Sequence, residues 1–333
     1  MGGNLFKLGR LPKADYLRLE NKVVAYLDEK LPNAYRIPRY YTNKADFGDM
    51  DIILCAEELP KAWPLFRLEI AKELGITQYQ MSGQLFSTVL EGFQVDFFLR
   101  ARTHFETSYH YLSFNDIGNL IGKIFKRFNL KYGEVGLEYV FRRVGGSYKK
   151  DILVSKDFQQ IYAFLGLDYE KWAKGFESRE EMFDWVMASP YFSVTPYDKK
   201  EAKLQKRERT RKTMQRFYEY LEEKNIQKTY KYAEHKEDYL PLIVTYFPKS
   251  NLIEQIKEER AKEARANVIK AKYNGRIVMS LFPELKAKQL GHFMQLFSES
   301  LGEDAEQWLY EWPKEEIIRR LKQYFRLYNE DIL

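Results

Sequence analysis

Two apolar, strand-like runs each carry aspartate, and this constrains the chain more than any other feature. In GDMDIIL (48–54) the residues alternate, Asp49, Asp51 and Ile53 on one face and Met50, Ile52 and Leu54 on the other. The reading is a strand whose exposed face begins with two carboxylates. In QVDFFL (94–99) Val95, Phe97 and Leu99 share one face while Gln94, Asp96 and Phe98 share the other. An unpaired carboxylate in such surroundings costs several kcal/mol unless it meets a cation or a dense set of donors. A sequence that accepts this three times in neighbouring strands is expected to hold something positive. If the strands are adjacent, Asp49, Asp51 and Asp96 converge on one point.

The rest of the composition narrows what that cation is. The chain has one cysteine, Cys55, and four scattered histidines, His104, His110, His235 and His292. This excludes a disulfide framework and a cysteine-based zinc site. All-carboxylate ligands favour Mg²⁺, with Mn²⁺ as a substitute. Two such ions about 3.5–4 Å apart are the arrangement that stabilises attacking and leaving oxygens in phosphoryl transfer. One ion lowers the pKa of an acceptor hydroxyl and the other holds a triphosphate, Asp96 serving the first. No apolar run reaches membrane-spanning length, and MGGNLFKLGR has no apolar signal core, so a cytoplasmic, non-membrane protein is expected.

Helical spacing covers 13–30 and 61–74. Residues 78–100 read as a pair of strands with a turn near Glu91-Gly92. A helix follows from Ser113, opened by a Ser113/Asp116 capping box. Strand-like LEYVFRR and DILVS and a helix over 156–165 complete a mixed α/β part. Beyond about Phe176 the pattern is helical almost throughout, with Trp308 and Trp312 expected in a core. The predicted class is α+β, with domains at 1–175 and 176–333.

With these residues placed, GDMDIIL followed by QVDFFL resembles the polymerase β-type nucleotidyltransferase superfamily, whose signature is Gly-Asp-x-Asp on one strand and a third Asp inside an apolar strand. Phe105 to Lys126, YGEVGLEYVFRR and DFQQIYAFLGLDY are similar to the helix, thumb and Leu-Gly-Leu elements of family-X DNA polymerases. The resemblance covers roughly residues 36–170. It implies a nucleotidyltransferase palm that moves an NMP from an NTP to a hydroxyl. Asp49, Asp51 and Asp96 would hold two Mg²⁺, and Gly48, Asn119 and Lys123 would lie by the nucleotide. The family's Gly-Ser turn is missing; the equivalent stretch reads RYYTNKADFGDMD. Thr42, Asn43 and Lys44 are the replacement nucleotide contacts, or Gly2-Gly3-Asn4 folds back as a backbone nest. The DNA-binding elements that precede a family-X palm are also missing, which weakens a gap-filling DNA polymerase. YNGRIVMSLFPELKAKQLGHFMQLF is similar to a helical segment of CCA-adding enzymes and poly(A) polymerases, which implies an RNA 3′ end.

The net charge of +6 is concentrated: Lys199 to Met214 holds eight Lys or Arg against two Glu. Lys203, Lys206, Arg207, Arg209, Arg211 and Lys212 are the candidate nucleic-acid contacts. An NTP and RNA, tRNA included, are thus the expected partners, with RNA ahead of DNA. Nucleotidylation of a protein or small molecule, and non-catalytic nucleic-acid binding on a degenerate palm, remain open alternatives.

Overall fold

The computed structural model describes residues 5–142, 149–197, 211–286 and 288–330. They form two compact units, one extending to Leu252 and the other beginning at Ile253, with Arg142 joining the second. The fold is mixed α+β, a five-stranded mixed sheet with a C-terminal helical region.

In the first unit β1 (Leu11–Pro12) leads into α1 (Lys13–Lys30), which buries Tyr16, Leu19, Val23 and Leu27 at the expected spacing. β2 (Tyr35–Arg36), β3 (Asp46–Phe47) and β4 (Met50–Cys55) follow, β3 pairing with β1. α2 (Trp63–Leu74) has Pro64 in its first turn, where a missing N–H breaks no helical bond, and ends at Gly75. Between 78 and 100 the expected pair is three strands, β5 (Gln78–Ser82), β6 (Leu85–Leu90) and β7 (Phe93–Arg100), the additional turn falling at Ser82-Gly83, which the sequence reads as a hairpin turn. Gly83, at φ 59°, turns the chain once more ahead of the expected turn. At that turn Glu91 and Gly92 both take positive φ, as a tight hairpin requires.

The sheet order is β2-β4-β7-β6-β5. Only β4 and β7 run parallel, the chain between them passing through α2 and the β5–β6 hairpin. β4 is not half exposed as its alternation suggests. Ile53 is as deeply buried as Met50, Ile52 and Leu54, because both faces of the strand are covered. Cys55 is buried as well.

A helix that periodicity does not reveal, α3 (Arg102–Leu112), packs on β4 and β7 and adds Phe105 to their core. Ser113 closes this helix instead of opening the next. Its N–H and hydroxyl both donate to the Tyr109 carbonyl, and Oγ accepts the Arg39 N–H at 3.0 Å. The expected capping box therefore does not form. Phe114 and Asn115, at φ 58° and 57°, break the path, and α4 (Ile117–Phe125) starts after Asp116.

β8 (Leu130–Gly133), β9 (Gly136–Arg142) and β10 (Lys149–Ser155) make a separate three-stranded sheet. Asp157, Asp168 and Ser178 cap α5 (Phe158–Phe164), α6 (Tyr169–Lys174) and α7 (Arg179–Met187) with side-chain oxygens. The compact unit runs on past residue 175. Phe176 packs on Phe114 and Trp185, and the Phe176 and Glu177 carbonyls take the Thr42 and Asn43 N–H groups. α8 (Lys212–Glu223) and α9 (Leu240–Tyr246) follow.

The second unit consists of α10 (Leu252–Lys272), α11 (Gly275–Leu281), α12 (Lys288–Ser300), α13 (Ala305–Glu311) and α14 (Lys314–Glu330). Val278, Phe282, Phe293, Phe297, Ile317 and Leu321 form its core. Trp308 is not in it. The short α13 turns Leu309 inward and leaves Trp308 40% exposed, stacked on a half-buried Trp312. Among the described residues, no helix is long and apolar enough to cross a membrane.

Candidate metal centre

The parallel pairing of β4 with β7 puts Asp51 directly opposite Asp96. Asp49, one step before β4, completes a group whose ligand oxygens all lie within 4.8 Å of one another. Three carboxylates this close repel when all are charged. Burial pushes the Asp51 carboxyl well above the ordinary range, and the charges of Asp49 and Asp96 push it further. Burial also raises Asp96, against the pull of the Ser87 hydroxyl and the Gln94 amide.

Asp96 is 5% exposed, and its two oxygens differ. Oδ2 accepts the Gln94 Nε2–H at 2.9 Å, while Oδ1 is buried without a hydrogen-bond partner. A bare, buried carboxylate oxygen beside two further carboxylates is an arrangement that could hold a cation. The donors are all hard oxygens, which suits Mg²⁺ or Mn²⁺.

Around this triad the sequence candidates fall into distinct places. Gly48 lies in the link between β3 and β4. Lys44 donates to Asn115 Oδ1 at 3.1 Å and sits 4.2 Å over the Phe47 ring. Burial lowers its pKa to about 8, with the Asp49 and Asp51 charges opposing. Thr42 and Asn43 are placed differently from what a phosphate loop needs. Their backbone N–H groups are taken by Phe176 and Glu177, and the Thr42 hydroxyl donates to the Glu177 carbonyl. The Asn43 side chain is exposed.

Asn119 and Arg211 share one partner, Asp116, which accepts the Asn119 amide at 2.9 Å and ion-pairs with Arg211. Arg211 is thus committed to protein, which argues against its expected role as a nucleic-acid contact. Lys44, Asn119 and Arg211 nevertheless meet at the same 115–116 turn. The Asp46 carboxyl is held below its usual range, first by the Arg10 hydrogen bond, with the Lys212 and Lys44 charges adding to it. Lys123 packs over the Tyr197 ring and reaches the Pro196 carbonyl. Lys203, Lys206, Arg207, Arg209 and the Gly2-Gly3-Asn4 nest lie outside the described residues.

Arg100 and Arg102, which follow the third Asp, are ion-paired with Glu134 and Glu58. Sequence reasoning passed over Gln94, Ser87 and Asn115. Gln94 had a visible signal, since it shares a strand face with Asp96. Ser87 comes opposite Asp96 only through the β6–β7 register.

The chain matches no protein-family model. No curated protein matches it at a significant level.

Proposed function

We propose that the first unit is a nucleotidyltransferase palm, and that the protein moves an NMP from an NTP to a hydroxyl at a nucleic acid 3′ end, RNA ahead of DNA. The observation that carries this reading is the direct Asp51–Asp96 register, with Asp49 alongside and Asp96 Oδ1 bare. Asp49, Asp51 and Asp96 would hold Mg²⁺, which supplies charge neutralisation at the triphosphate and polarises the reacting oxygens. The acceptor oxygen bonds to the α-phosphorus as the bond to pyrophosphate breaks. The acceptor's proton passes to solvent, and Asp96 Oδ1, the oxygen without a partner, would be the atom that meets the cation beside the acceptor hydroxyl. Lys44, whose ammonium meets a neutral carboxamide on one side, offers its remaining donors to phosphate. The basic run at 199–212 supplies positive charge that attracts the polyanionic acceptor. Such chemistry belongs in the cytoplasm, where NTP and RNA are plentiful.

One observation favours a second reading, non-catalytic nucleic-acid binding. The Thr42 and Asn43 amides, the backbone donors nearest the missing Gly-Ser turn in sequence, are already spent on the protein.

A single experiment separates the two. Purified protein is incubated with each α-labelled NTP and dNTP, Mg²⁺ or Mn²⁺, total tRNA and DNA oligonucleotides, beside an Asp49→Ala/Asp51→Ala control. Label on nucleic acid that the control lacks supports the transferase. Salt-dependent RNA binding that needs no metal and survives in the control, with no label transferred, overturns it.

A further inference from the structure

We propose that Gln94 is a positioning residue for Asp96, fixing which of its oxygens is left free for the cation; this rests on the metal reading above. Gln94 is 2% exposed in the middle of an apolar strand, a setting that removes a primary amide from water. A glutamine there for packing alone would be expected to satisfy both ends of its carboxamide. This one satisfies only its N–H end, by donating to Asp96 Oδ2 at 2.9 Å, and its own Oε1 is buried without a partner.

The geometry follows from the strand. Residues two apart point to the same face, so the Gln94 amide lies alongside the Asp96 carboxylate without any turn or loop to adjust it. The donor end must face Asp96, because the reversed amide would set two acceptor oxygens against each other. The bond is charge-assisted and holds the carboxylate against rotation. Oδ2 is occupied and Oδ1 remains bare, next to Asp49 and Asp51. Outer partners of this kind orient metal ligands, and their loss typically weakens metal binding about 10–100-fold.

The test is Mn²⁺ binding, read as the loss of free-Mn²⁺ signal by electron paramagnetic resonance, with metal-free thermal unfolding measured beside it. Gln94→Met keeps the side-chain volume and removes the donor. It is expected to raise the Mn²⁺ Kd about 10–100-fold and to shrink the Mn²⁺-induced rise in Tm. A role in packing alone would lower the metal-free Tm and leave the Mn²⁺ Kd unchanged, and that result overturns the proposal. Gln94→Leu, which removes the whole carboxamide without adding charge, is expected to lose as much affinity. It decides the matter if Gln94→Met does not fold. Wild-type protein that takes up no Mn²⁺ at millimolar concentration would overturn the metal reading itself, and this inference with it.

Discussion

Asp51 and Asp96 face each other across the one parallel strand pair of the five-stranded sheet, and neither carboxyl has a cationic side chain within ion-pairing distance among the described residues. Burial and mutual repulsion hold both above their ordinary range, so the charged triad destabilises the metal-free fold. Asp96→Asn removes one charge and keeps the shape. It is expected to raise the metal-free Tm while abolishing nucleotidyl transfer. Scanning calorimetry in chelator checks the first part and the labelling assay the second. A fall in Tm would contradict the repulsion.

Cation binding should reverse the same cost. Mn²⁺ or Mg²⁺ at a hundred times its Kd is expected to stabilise the protein by about 2.7 kcal/mol, with chelator restoring the original Tm. The Asp49→Ala/Asp51→Ala protein should show no such shift.

Lys44 supplies a pH dependence of known sign. Its folded-state pKa of about 8 lies below the 10.5 of an exposed lysine, because burial disfavours the charged form. Between these values the unfolded chain binds more protons, so stability rises with pH, by at most about 1.4 kcal/mol per unit. Below pH 8 the penalty is fully present. Urea unfolding at pH 8, 9 and 10 should show a steeper rise in the parent than in Lys44→Met.

Arg39 is the strut between the segment before β3 and the end of α6. Nη1 donates to the Trp172 and Ala173 carbonyls and Nη2 to that of Lys174, while the guanidinium lies over the Phe114 and Trp172 rings. Gly175, at φ 101°, has no Cβ, and one placed there would come within 2.8 Å of Nη2. Arg39→Met is expected to cost about 2–3 kcal/mol, since three helix-end carbonyls lose a charged donor. Arg39→Lys should recover only part, because an ammonium lacks the planar fork. Denaturant unfolding measures both.

For the basic run, alanine at Lys203, Lys206, Arg207 and Arg209 is expected to weaken RNA binding. The slope of log K against log salt should fall by about one for each phosphate that no longer meets a cation. Filter binding at several salt concentrations reads this, and an unchanged slope would remove the run from the interface.

The elements that were legible in the sequence are those whose signal is local. α1 shows in the spacing of Tyr16, Leu19, Val23 and Leu27, and the turn at Glu91-Gly92 shows in its residue types. α3 was not legible, because RTHFETSYHYL carries few apolar residues and its helix owes its burial to β4 and β7. Ser113 illustrates the same limit. A Ser-x-x-Asp spacing fits a capping box, yet Arg39, seventy-four residues away, and the Tyr109 carbonyl claim that hydroxyl first.

The sequence by itself determined that Asp51 and Asp96 would be carried on two apolar strands, with Asp49 next to the first, since alternation and side-chain chemistry are properties of the local chain. Only the tertiary structure decided that those strands pair parallel with Asp51 against Asp96, that Gln94 occupies one oxygen of Asp96 and leaves the other bare, and that Thr42 and Asn43 give their amides to Phe176 and Glu177. Register, and competition for hydrogen-bond partners between distant segments, depend on how the whole unit packs, and no local pattern encodes them.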